Sequence, residues 1–165
     1  MVSIETLEQT DVFKDFSTDE LSKILEICSI QEYSVEDRLF AEGDMAKDMW
    51  VVLEGQVDLR FEMPRSGTTT RRNTVSTHDR EAPQSQVFGW SCFIPPYKMR
   101  LSAYCSSRRC QVLRVEAAKL NQLMDAEPAI GYKTMQYLLQ VVGYRFKQMQ
   151  DELARFKGIN MMNSW

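Results

Sequence analysis

The sequence predicts a mostly β fold with flanking helices, a β-barrel or β-roll on which the helices pack. Three observations carry this. Between Tyr33 and Val115 the apolar residues fall in short runs separated by glycine turns. Before Tyr33 and after Val115 they recur at helical spacing instead. The last part of the chain holds one long, unbroken helical pattern. A chain of 165 residues suits one domain with a sizeable core, expected here over residues 1–157, with a frayed tail at 158–165.

Residues 1–31 read as helical. Ser17 and Glu20 form a capping box, and Phe16 and Leu21 stand where a hydrophobic staple places them. Leu21, Ile24, Leu25 and Cys28 then follow at helical spacing. From Tyr33 the pattern becomes β-like. Arg38-Leu39-Phe40 leads to the turn Glu42-Gly43-Asp44, and Trp50-Val51-Val52-Leu53 leads to Glu54-Gly55. Val57, Leu59 and Phe61 alternate as in a half-buried strand. Gln86-Val87-Phe88 leads to Gly89, and a final β segment runs from Leu101 through Cys105 to Val112–Val115. Residues 64–86 interrupt these strands with Ser, Thr and Arg and almost no large apolar side chain, the composition of a mobile loop insertion.

Beyond Val115, Glu116–Asp125 reads as a short amphipathic helix with Leu120, Leu123 and Met124 on its apolar face. Pro128 suits the first turn of the next helix, expected over 128–157. Along it Tyr132, Met135, Leu139, Val142, Phe146, Met149, Leu153 and Phe156 alternate at spacings of three and four. That is the a/d seam of a two-helix coil, and a parallel homodimer is the simplest arrangement that covers it. Leu138, Val141 and Arg145 widen the stripe on one side.

Composition excludes several classes. Twenty Lys and Arg against 23 Asp and Glu give a net charge of −3, which removes the electrostatic argument for nucleic-acid binding. No apolar run approaches a membrane span, and the N-terminus carries acids where a signal peptide carries bases, so a cytoplasmic protein is expected. Cys28, Cys92, Cys105 and Cys110 are then reduced thiols. With His78 as the lone histidine and no CxxC pair, no metal site is expected. No nucleophile elbow, Walker loop or zinc-hydrolase helix is present, and a non-enzyme is expected.

Four segments carry a resemblance: Leu39-Phe40-x-Glu42-Gly43-Asp44, Trp50-Val51-Val52-Leu53-x-Gly55-x-Val57, Val87-Phe88-Gly89 and Arg100-x-Ser102-Ala103. In this order, between helices, they resemble the cyclic nucleotide-binding domain. The likeness is greatest to the effector domain of bacterial catabolite-activator-type regulators (the CRP/FNR superfamily), and it covers about residues 15–157. It implies a β-roll of the double-stranded, jelly-roll-like kind with N-terminal helices and a long C-terminal helix. It also implies a phosphate-binding cassette at Phe88, Gly89, Trp90, Ser91, Cys92, Arg100, Leu101 and Ser102, with Arg100 as the counter-charge. The family's cassette has glutamate, the acceptor for the ribose 2′-OH, where this chain has Trp90. An indole has no acceptor, and it is large enough to fill the sugar subsite. Leu101 stands where members selective for cyclic GMP carry threonine, so cyclic AMP is the favoured ligand.

Such regulators continue into a helix-turn-helix, whereas this sequence stops at Trp165, so DNA binding by this chain is not expected. The resemblance implies a stand-alone sensor module with no cofactor other than cyclic AMP as ligand. The alternative is a degenerate domain that has lost nucleotide binding and serves as a dimeric interaction module.

Overall fold

A computed structural model describes residues 2–62, 74–76 and 82–162. Two short helices, α1 (Ile4–Glu8) and α2 (Thr18–Leu25), precede strands β1 (Cys28–Ser34), β2 (Arg38–Phe40), β3 (Asp48–Glu54) and β4 (Val57–Arg60). Then come β5 (Thr74–Ser76), β6 (Val87–Phe88), β7 (Ser102–Cys105) and β8 (Arg109–Glu116), followed by helices α3 (Ala117–Ala126) and α4 (Pro128–Met162). Of the 64–86 insertion, β5 and a 3₁₀ turn at Pro83–Gln86 are ordered elements. The mobility expected for the rest falls outside the described residues. No helix among the described residues is long and apolar enough to cross a membrane.

The strands form two antiparallel four-stranded sheets, in the orders β1-β8-β3-β6 and β2-β7-β4-β5. This corrects the expected fold class. The sheets are not closed into a barrel or roll, and the fold is mixed α/β rather than mostly β. The edge strands explain the open form. β6 has two residues, and β2 meets β7 only at Arg38 and Phe40, with a register shift between them. Edges this short leave no ladder to carry across from one sheet to the other. The helical share is set by α4, which alone has 35 residues.

Alternation along β3 makes two cores. Met49 and Val51 face the helices together with Val87, Leu113 and Val115, under Leu120 of α3 and Ile130, Leu138 and Val141 of α4. Trp50 and Val52 face the second sheet, where they meet Val57, Leu59, Phe88, Ala103, Cys105, Cys110 and Val112. The molecule is therefore layered, with helices, the first sheet and the second sheet in that order. All four cysteines are free thiols.

The capping box at Ser17 forms as expected: Ser17 Oγ accepts from the Glu20 N–H, and Glu20 Oε2 accepts from the Ser17 N–H. Residues 26–31 are not helical, however. α2 ends at Leu25, and Cys28 opens β1 because Cys28–Ser34 finds a full antiparallel ladder along β8. Glu20 also binds Lys133 of α4 at 2.7 Å, and Lys23 binds Glu127, so α2 is clamped to the root of α4. The hydrogen bond from Lys133 holds the Glu20 carboxyl below its ordinary value of 4.5. Such a group stabilises the fold above its unfolded pKa, and that contribution is lost as pH falls through the folded one. Melting temperatures of wild type and Lys133→Met should therefore differ at neutral pH and converge as the solution is acidified through the lowered pKa of Glu20. A constant gap would show that the cation above the Phe16 ring, at 5.1 Å, carries the effect instead.

α4 has two apolar faces. Ile130, Thr134, Leu138 and Val141 are buried against the domain. Leu138, Val141 and Arg145 thus belong to this inward face and do not widen the seam. Arg145 reaches past the sheet edge to donate from Nη2 to the Ser85 carbonyl, at 2.7 Å, in the 3₁₀ turn before β6. Tyr132, Met135, Leu139, Phe146, Met149 and Leu153 are exposed, Leu139 at 72%, and Val142 is half-buried among them. The side chain of Phe156 lies outside the described residues. The helix also runs on through Gly158 to Met162, where a frayed tail was expected.

Candidate functional site

The segment from Phe88 to Arg100 is built as a turn, a short 3₁₀ helix and a second turn. Gly89 follows β6 with φ of +77°, the left-handed conformation that glycine adopts without a steric penalty. Trp90–Phe93 then makes one 3₁₀ turn, in which the Cys92 N–H donates back to the Gly89 carbonyl at 3.2 Å. After Ile94–Tyr97 the chain is held against the turn Glu42-Gly43-Asp44. The Met99 N–H donates to the Asp44 carbonyl, and the Gly43 N–H to the Met99 carbonyl. This clamp fixes the backbone of Arg100, whose side chain is exposed. Among the described residues Arg100 has no ion pair. Asp44 instead accepts from the Ala41 N–H, and Glu42 from the Glu62 N–H.

The other predicted cassette residues divide between the two cores. Phe88 is fully buried between the sheets, stacked on Trp50 with ring centroids 6.3 Å apart and 6.0 Å from Phe40. Leu101 packs against the same cluster. Trp90 is half-buried against the helix-side cluster, so its indole does not stand between the sheets. Ser91 is half-buried. Cys92 is buried, and burial pushes its thiol up to about 12, which leaves it protonated and inert. Ser102 alternates with Ala103 and Cys105 and therefore points away from the core. Its buried hydroxyl accepts from the Glu42 N–H at 2.8 Å.

Two polar clusters were not read from the sequence. On the outer face of the second sheet, Tyr104 donates to Glu62, and the Ser102 and Tyr104 hydroxyls hold the Glu62 carboxyl below its ordinary value. Beside them Arg60 grips Glu36 through two nitrogens and lies over the Tyr104 ring. The second cluster is at the start of β3, where Asp48 pairs with Arg114 at 2.9 Å and adjoins Gly89 and Cys92. A signal for Asp48 existed: one acid opens the otherwise apolar run Met49-Trp50-Val51-Val52-Leu53.

No protein-family model and no curated protein matches the sequence. Solved structures do match. A candidate cyclic nucleotide-binding protein from Geobacter metallireducens GS-15 superposes with a TM-score of 0.71 at 24% identity, over 88% of this chain and 99% of that one. A cyclic nucleotide-binding domain from Methylobacillus flagellatus KT gives 0.70 at 22% identity, over 92% and 80%. The catabolite activator protein of Thermus thermophilus gives 0.62 at 16% identity, over 88% and 62%. The chain therefore has the fold of a cyclic nucleotide-binding, catabolite-activator-type effector domain.

Proposed function

We propose that the chain is a cytoplasmic sensor module that binds a phosphate-bearing small ligand, cyclic AMP, at the segment Phe88–Ser102. The observation that carries this reading is Arg100, a side chain held on a clamped backbone, exposed and without a partner among the described residues, eleven residues after the left-handed turn at Gly89. A planar fork of donors can take two oxygens of one phosphate. The likeness of fold to cyclic nucleotide-binding domains supports the same reading. Leu101 offers no hydroxyl to a guanine, which favours cyclic AMP over cyclic GMP.

Calorimetry with both nucleotides tests it. Cyclic AMP should bind the wild type saturably, Arg100→Lys should weaken that binding, and Arg100→Ala should abolish it with an unchanged melting temperature. Retention of full affinity by Arg100→Ala would sink the assignment.

The exposed stripe on α4 carries a second part of the proposal, that the module is a homodimer paired along this helix. Apolar side chains at a/d spacing, turned away from their own core, are what a second copy of the helix covers. Should no nucleotide bind, this stripe supports the remaining reading, a dimeric interaction module.

A further inference from the structure

Two buried polar atoms beside Gly89 are unpaired among the described residues. Asp48 and Trp50 are two residues apart on β3, so their side chains share the face turned towards the second sheet. The two residues are 8% and 6% exposed. Asp48 Oδ2 is held by Arg114, but Asp48 Oδ1 and Trp50 Nε1 have no hydrogen-bond partner among the described residues. Folded proteins rarely leave such groups orphaned. Both residues adjoin the turn. A Cβ at Gly89 would lie 2.7 Å from Trp50 Cδ1, 3.5 Å from Trp50 Nε1 and 2.9 Å from the Asp48 carbonyl. The Asp48 charge is also felt by the Cys92 thiol, three residues further on.

One atom is an acceptor and the other a donor. A hydroxyl satisfies both at once, since it donates one hydrogen bond and accepts others. An ammonium would leave the indole N–H unpaired, and a phosphate would face the Asp48 carboxylate with like charge. We propose that Asp48 Oδ1 and Trp50 Nε1 are the acceptor and donor for a ligand hydroxyl, the ribose 2′-OH of the cyclic nucleotide. This rests on the reading of the Phe88–Ser102 segment as the nucleotide site. It gives the ribose the acceptor that Trp90 lacks. Neither atom is reached by solvent, so binding of the hydroxyl requires the turn at Gly89, which lies against Trp50, to move aside.

The test compares cyclic AMP with its 2′-deoxy analogue by calorimetry on the full chain. The wild type should prefer the ribonucleotide by roughly five- to a hundred-fold. Trp50→Phe, which keeps the ring stack, and Asp48→Asn should each reduce that ratio towards one, chiefly by weakening cyclic AMP. A ratio unchanged in both variants overturns the inference. A second measurement needs no variant at positions 48 or 50. The indole N–H resonance of Trp50, identified by eliminating those lost in Trp90→Phe and Trp165→Phe, should move downfield with cyclic AMP and not with the 2′-deoxy analogue. If cyclic AMP binds and this resonance stays in place, a buried water is the occupant; the inference fails and the nucleotide site stands. If neither nucleotide binds the wild type, both readings fall together.

Discussion

Gly89→Ala is expected to lower the stability of the protein by about 2–5 kcal/mol. The left-handed conformation at φ of +77° costs a side chain about 1–2 kcal/mol. The new Cβ would in addition meet the Trp50 ring at 2.7 Å and the Asp48 carbonyl at 2.9 Å, and overpacking of this kind adds about 1–3 kcal/mol. At roughly 2–4 °C per kcal/mol for a chain of this size, the melting temperature should fall by about 4–20 °C. Gly43→Ala is the control. Its φ is +88°, but nothing lies within 4 Å of its Cβ, so only the conformational part applies. Equal losses in the two variants would show that the approach of β3 to the Gly89 turn contributes nothing.

The second large effect concerns α4. Glutamates in place of Leu139 and Met149 should convert a dimer to a monomer in sedimentation at tens of micromolar. Both residues are mostly exposed in the single chain, at 72% and 61%, so each carboxylate stays hydrated in the monomer. In a paired seam each would be buried without a counter-charge, at a cost of several kcal/mol. Two such changes weaken association by roughly a thousand-fold or more. The melting temperature of the wild type should rise with protein concentration, and that of the variant should not. A wild type that sediments as a monomer would remove the dimer from the proposal.

Features of local origin were legible in the sequence. The capping box at Ser17 and Glu20 is written within four residues, and both of its hydrogen bonds form. The turns at Gly43, Gly55 and Gly89 have the positive φ that their position after apolar strands implies. The stripe from Tyr132 to Leu153 was a matter of periodicity, which a helix converts directly into a face. What was not legible depends on partners far away in the chain. The end of α2 at Leu25 reflects the ladder that Cys28–Ser34 finds on β8, with partners 75 to 87 residues later. Failure of the sheets to close follows from the shortness of β2 and β6, and apolar runs of that length specify no closure. In the candidate site, Gly89 and Arg100 were singled out by the resemblance to the family's cassette, and the structure shows the turn and the exposed side chain at these positions. The direction of Ser102 and the packing of Trp90 were not legible, because a residue alone does not say which of two cores it joins.

The contact between Arg145 and Ser85 gives α4 the mechanics of a lever. Its root is pinned by Lys133 to Glu20 and, one residue before the helix, by Glu127 to Lys23. Arg145 is fastened to the turn that feeds β6 and Gly89, and it lies midway between Pro128 and Met162. The helix is about 50 Å long at 1.5 Å per residue. With the fulcrum at Pro128 and the load applied halfway along, a shift of the Ser85 turn reaches the far end of the helix about doubled. At Met149 and Leu153, 21 and 25 residues from Pro128 against 17 for Arg145, the same shift is magnified by about 1.2 and 1.5 times.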